Sequence, residues 1–137
     1  MKDGWYDEEY FALAESQEEA VQLTAEYGIS ATLPGYFFIG LIGWDDFILS
    51  DASGNYFRVP TVPLTNEYLK PYQFPVEKIR MEEDPKFTGK AKWYSTPLIF
   101  GGSPTDEKNM TWVSFSQHAQ LVCWWNAKYQ KLKQNNA

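Results

Sequence analysis

Asp45 and Asp46 stand side by side, after Gly43-Trp44 and before the apolar run Phe47-Ile-Leu49. Two adjacent carboxylates can divide acid and base work only where their side chains converge. On a strand, neighbouring side chains point to opposite faces, which separates the pair; in a turn they can converge, but capping the turn is then just as natural a use. His118 is the only histidine and Cys123 the only cysteine. One histidine excludes a metal site built on two or more, and one cysteine excludes an internal disulfide and a cysteine-rich metal centre. At helical spacing His118 and Cys123 point well apart, so they do not form a nucleophile and base within one helix. His118 reads as a packing or capping residue, and Cys123 as a small residue facing a neighbour or solvent. Gly101-Gly-Ser-Pro-Thr105 offers backbone amides to an anion, yet Asp106 and Glu107 follow where a phosphate loop would place a lysine. No catalytic residue, metal site or cofactor is assigned from these positions.

Trp44 is the most suggestive single residue. A ring at a glycine-flanked turn, next to two acids, has the composition of a recognition loop for a basic partner. The other reading is a ring folded back over the sheet. Charge points the same way as the first. Residues 1–30 hold eight acids (Asp3, Asp7, Glu8, Glu9, Glu15, Glu18, Glu19, Glu26) against Lys2 alone, so the net charge of −6 belongs to this segment. Such a field repels nucleic acid and attracts basic surfaces. No apolar run approaches the length of a membrane span, and the first residues lack the apolar middle of a signal peptide. The expectation is a soluble cytoplasmic protein that binds neither membrane nor nucleic acid.

The elements that must position these residues are legible in outline. Residues 1–15 are acidic and aromatic, and are expected to dock on the body through Trp5, Tyr6, Tyr10 and Phe11. Ser16, with Glu19 three residues on, is a capping-box start for a helix over 16–27, and Gly28 is placed to end it. Tyr36–Ile42, Phe47–Leu49 and Tyr56–Val59 are short apolar runs between Gly, Asp and Pro punctuation and read as strands. Gly54 supplies the positive φ that a tight hairpin needs. The first of these strands is apolar on alternate residues of both faces (Tyr36, Phe38 and Ile42; Phe37, Ile39 and Leu41), so it is expected to be central and covered on both sides. Thr65 caps a short helical turn. Residues 72–92 are the least readable, with 82–86 an exposed loop. Trp93–Thr96, Leu98–Phe100 and Met110–Phe115 read as strand pieces. A terminal helix over 116–133 presents His118, Leu121, Val122, Trp125, Tyr129 and Leu132 as one stripe, with Trp125 near its centre and Trp124 at its edge. The fold expected is a single α+β domain over 1–137: a mainly antiparallel sheet of about five or six strands, flanked by N-terminal and C-terminal helices.

Leu33-Pro-Gly-Tyr-Phe-Phe-Ile-Gly40, Phe47-Ile-Leu-Ser-Asp51 with its glycine hairpin, and Thr111-Trp-Val-Ser-Phe115 leading to Trp124-Trp125-Asn126 resemble the SUKH superfamily. These are small cell-wall-assembly-regulator-like α+β domains that include many bacterial toxin immunity proteins. The resemblance covers most of residues 16–130, without the Asn-Gly-Gly signature common in the family. It implies a non-enzymatic domain that binds and neutralises a cognate secreted toxin, often a nuclease. Joined to the charge pattern, it leads us to expect a basic protein partner on an acidic surface of Glu18, Glu19, Asp45 and Asp46, anchored by Trp44. Two rival classes remain: a regulatory or scaffolding domain with a non-toxin partner, and a small-molecule or enzymatic domain in which Asp45, Asp46 and His118 share a deep pocket.

Overall fold

A computed structural model describes residues 1–75 and 79–135, the last of these by its backbone alone. Six strands form one antiparallel sheet in the order of the sequence: β1 (Lys2–Tyr6), β2 (Glu9–Leu13), β3 (Tyr36–Ile42), β4 (Asp46–Asp51), β5 (Tyr56–Pro60) and β6 (Lys70–Pro71). Helix α1 (Gln17–Glu26) and the single turn α2 (Ile29–Thr32) lie between β2 and β3. A second sheet of two antiparallel strands, β7 (Lys90–Tyr94) and β8 (Met110–Ser114), leads into the long helix α3 (Phe115–Asn135). This is the expected single α+β domain, with β3 and β4 central.

Residues 1–15 are not an appendage docked on the body. They form the β1–β2 hairpin, and β2 pairs directly with β3 through Phe11↔Ile42, Ala12↔Leu41 and Leu13↔Gly40. Tyr10, Phe11 and Ala12 are buried. The short apolar run Tyr10–Leu13 was the missed signal, hidden by the acids around it.

The two faces of β3 differ from the expected alternation because of a bulge. The pairing with β4 shifts register between Phe38 and Gly40, which inserts Ile39 as an extra residue. One inserted residue exchanges the faces of everything beyond it. Phe38 and Leu41 therefore share the helix-covered core with Phe47, Leu49, Val59, Ala119 and Val122, while Ile42 joins Phe11 and Ile48 beneath Tyr72, Phe74 and Ile79. Gly40 is required here: a Cβ would meet the Ala12 carbonyl oxygen and the Leu13 side chain, each at 2.5 Å. Both faces are covered at Gly40–Ile42 but not at Phe37, which is 43% exposed.

The helix ends follow from their caps. Ser16 Oγ accepts from the Glu19 amide at 3.0 Å, and Glu19 Oε1 accepts from the Glu15 amide at 3.0 Å. The Glu19 carboxylate thus serves the amide just before the cap residue, which extends the expected box by one position. Asp51 accepts from the amides of Ser53 and Asn55 and fixes the β4–β5 hairpin, with Gly54 at φ 83°. Thr65 caps the 3-10 turn Asn66–Tyr68 as expected. Leu98–Phe100, expected to be a strand piece, is a 3-10 turn, because Pro97 and Gly101 bracket it too closely for a ladder. The 82–86 run makes an isolated bridge from Glu82 to Trp5 and covers the outer edge of β1; positions 76–78 of that difficult stretch lie outside the described residues. On α3 the buried line is His118, Ala119, Val122 and Asn126, so the stripe is rotated from the expected one. Trp125 is half-buried, Leu132 is exposed, and Trp124 is 55% exposed. Asn126 draws the rotation: its amide donates to the Thr61 carbonyl at 2.8 Å, and its oxygen accepts from the Leu64 amide at 2.8 Å.

Candidate functional site

The turn between β3 and β4 closes on itself instead of opening to a partner. Gly43 and Trp44 both adopt the left-handed backbone region, at φ 61° and 60°. For a bulky residue that region costs about 1–2 kcal/mol, and it persists only where packing dictates it. Here the packing is plain: the Trp44 ring stacks on Tyr10 at 4.6 Å and meets the edge of Trp112 at 5.1 Å, with Phe87 beside both. Trp44 is 8% exposed. It is a core residue, the folded-back ring of the two readings, and it is withdrawn as the apolar anchor of a partner.

Asp45 and Asp46 are each held by a cation. Lys92 Nζ donates to Asp45 Oδ2 at 2.9 Å, and Arg58 Nε donates to Asp46 Oδ2 at 2.6 Å. The ammonium of Lys92 also lies 5.9 Å from the centre of the Trp44 ring and 4.9 Å from that of Tyr94. Lys92 thereby ties β7 to the β3–β4 turn; burial lowers its pKa, but the hydrogen bond and charge of Asp45, helped by Tyr94, outweigh this and raise it. Burial pushes the Asp45 carboxyl above the usual carboxylate range, opposed by Lys92. With 49% of its side chain in solvent, Asp45 has much of this effect screened. The two acids border an open pocket of about 190 Å³ with Thr61, Trp93, Tyr94 and Leu98.

His118 is not part of that pocket. It is fully buried, its Nδ1 is 2.8 Å from the Tyr27 hydroxyl, and its ring abuts Trp93 at 5.6 Å. Burial lowers its pKa to about 4; the Trp44 backbone opposes this without closing a hydrogen bond to Nε2. His118 is therefore neutral at pH 7. The constellation named for the enzymatic rival, Asp45, Asp46 and His118 in one deep pocket, does not form. Cys123 faces a neighbour, donating from Sγ to the Glu26 carbonyl at 3.2 Å. Among the described residues no group of three or more His, Cys, Asp or Glu side chains is arranged to hold a metal, and no helix is long and apolar enough to cross a membrane.

The opposite end of β3 is open. β2 pairs with β3 only at Gly40–Ile42, after which the chain leaves through Ala14 and Glu15 for α1. On its β2 side Phe38 has no strand beside it, and its amide donates to Thr24 Oγ1 of α1 at 2.9 Å instead. The space between strand and helix is a groove of about 500 Å³ lined by Ala14, Glu15, Gln17, Val21, Phe37 and Ile39, among others. Val21 is 58% exposed and Phe37 is 43% exposed. Of the acids singled out in the sequence, Glu18 is exposed on the first turn of α1, next to this groove. Glu19 is engaged with the amino group of Met1 at 3.1 Å as well as with the cap. The five residues named together thus divide: Glu18 and Glu19 lie on the first turn of α1, beside the start of β3, while Trp44, Asp45 and Asp46 lie past its end. Phe37 escaped the sequence reading because the strand was expected to be covered on both faces, and Val21 because a lone apolar residue on an acidic helix carries no signal of its own.

Comparison with protein-family models, with curated proteins and with solved structures finds no match to this chain.

Proposed function

We propose that this chain is a non-enzymatic protein-binding domain that engages a basic protein partner through the α1–β3 groove. One observation carries the reading. Val21 and Phe37, two large apolar side chains with much of their surface in water, line one groove, with Glu15 in its wall and Glu18 beside it. An apolar centre with a charged rim is the anatomy of a specific protein interface. The acids would steer a basic partner to the groove, and the apolar pair would hold it. The SUKH resemblance supports a more particular partner, a cognate bacterial toxin such as a nuclease, with this chain as its immunity protein.

The test is capture from the native strain, followed by expression of the captured protein alone and together with this chain. The expected result is a basic protein that is toxic alone and harmless in the pair. Its dissociation should be about tenfold or more faster from Phe37→Ser or Val21→Ser, and its association slower with Glu15→Lys/Glu18→Lys. A captured partner that is not toxic moves the reading to a regulatory or scaffolding domain. Binding unaltered by all of these variants overturns the groove.

A further inference from the structure

The molecule has a second exposed apolar surface, and its charge is opposite to that of the groove. Helix α3 carries Lys128, Lys131 and Lys133 and no acid, whereas α1 carries Glu18, Glu19 and Glu26 and no base. On α3, Trp124 is 55% exposed and Leu132 is 44% exposed. Trp124 stands between two open depressions, one lined with Gln117, Gln120 and Leu121, the other with Ala127, Lys131 and Leu132. Lys128 is not a loose charge: its ammonium lies 5.3 Å from the ring centres of both Trp124 and Trp125. Lys133 is bound to Glu67. Among the described residues Lys128 and Lys131 make no ion pair, and neither do Glu15 and Glu18.

We propose that the α3 face of one copy of this chain docks in the α1–β3 groove of a second copy. Trp124 supplies the protruding ring and the groove supplies the concave apolar wall. Lys128 and Lys131 then meet Glu15 and Glu18, so each surface finds the charge it lacks on its own molecule. The contact joins two different patches, so it adds copies head to tail until a ring closes or concentration limits it. Few side chains carry the contact, chiefly Trp124 against Val21 and Phe37 with two lysines opposite two glutamates, so it is weak, with a dissociation constant on the order of 100 μM. The contact uses the groove of the proposed function but does not require any partner. It makes self-association and partner binding mutually exclusive: the chain's own basic helix guards the acidic groove.

Sedimentation of the full chain alone tests this, from about 10 μM to about 1 mM, a range that brackets such an affinity. The weight-average mass of the wild type should rise with concentration. Lys128→Glu/Lys131→Glu and Glu15→Lys/Glu18→Lys should each associate about tenfold more weakly or worse, and an equimolar mixture of the two should recover association. Val21→Ser should weaken association with melting almost unchanged, and Trp124→Ser, which also gives up the Trp125 contact at 4.8 Å, should weaken association with a modest fall in melting temperature, which keeps the test sound if a charge variant fails to fold. A wild type that stays monomeric throughout overturns the proposal. So does a mixture that associates no better than its components, or association that survives both serine variants. A monomeric protein that still binds its toxin in the groove would refute self-association and leave the proposed function standing; an associating protein with no groove-dependent partner would do the reverse.

Discussion

At the Ile42 end of β3 the later chain comes back twice, with Phe87 and with Trp112, and closes over Trp44 and Tyr10. At the Tyr36 end Phe37 and Val21 stay in water, although their composition, aromatic and aliphatic side chains near acids, is much the same. The difference does not lie in the local sequence. It lies in whether a distant segment is delivered to cover the rings. β7 and β8 bring Trp112 and Lys92 to the first end, and Lys92 neutralises the nearest acid while doing so. At the second end β2 turns away into α1 after pairing only Gly40–Ile42, and among the described residues Glu15 and Glu18 there make no ion pair. An acidic, aromatic stretch therefore reads as an interface or as a core only once its long-range neighbours are known.

Emptying the closed end should give the largest effect. Trp44→Ala removes a ring packed against Tyr10, Phe87 and Trp112 and leaves the strained left-handed backbone in place. The expected loss of stability is about 3–5 kcal/mol, read from denaturant midpoints. Trp44→Gly should lose somewhat less, because glycine adopts that backbone freely. A Trp44→Ala variant that melts like the wild type would show that the two ends of β3 do not differ in the way described.

The same closed end should be sensitive to acid through His118. Its pKa is lowered from the model-peptide value of 6.5 to about 4 by burial. A group whose folded pKa is depressed contributes stability above its unfolded pKa and loses it as pH falls through the folded one. The protein should therefore weaken from about pH 6.5 down to about pH 4, by up to about 3 kcal/mol from this residue. Over that window the unfolded chain takes up close to one proton more than the folded one. His118→Gln should be less stable at pH 7, since it loses the Tyr27 bond and ring contacts, but should lack this part of the slope. An unchanged slope in the variant would place the acid sensitivity elsewhere.

Trp125→Ala should fall next in size. The ring is half-buried against Phe100 at 4.9 Å and Trp124 at 4.8 Å, so the expected cost is about 2 kcal/mol, short of what a fully enclosed ring would give. A loss equal to that of Trp44→Ala would mean that α3 is packed more deeply than its exposure indicates.

What could be read without the structure follows the range of the interactions involved. The caps at Ser16 and Thr65 and the hairpin at Gly54 were legible because each is made within a few residues, and so were the central β3–β4–β5 meander and the extent of α3. The bulge at Ile39 was not. Gly40 hinted at it, but the reason for that glycine is the Ala12 carbonyl on another strand. The tilt of α3 was missed for a similar cause: a polar residue, Asn126, is drawn into the core to satisfy the Thr61 carbonyl and the Leu64 amide. Of the five candidate site residues, only Glu18 is both exposed and without an ion pair among the described residues. Trp44 was lost to the core through Phe87 and Trp112, and Asp45 and Asp46 to Lys92 and Arg58, all distant in sequence.

The smallest change in stability belongs to the open end, and it discriminates best. Val21→Ser removes a side chain that is 58% exposed, so its stability change should lie within about 0.5 kcal/mol of zero; Phe37, 43% exposed, keeps part of its ring covered, and Phe37→Ser should cost about 1 kcal/mol. A buried large-to-small change costs several times that, and Phe38, one residue from Phe37, provides the internal control. Phe38 is fully buried and stacks on Tyr27 at 5.4 Å, so Phe38→Ala should cost about 3–5 kcal/mol. Adjacent phenylalanines on one strand should thus differ by an amount easily resolved in paired denaturant curves. If Phe37→Ser proves as damaging as Phe38→Ala, the groove is part of the core and cannot be a docking surface. If its cost stays near about 1 kcal/mol while self-association or partner binding falls about tenfold, the exposed part of the ring is held at the surface for contact with another molecule.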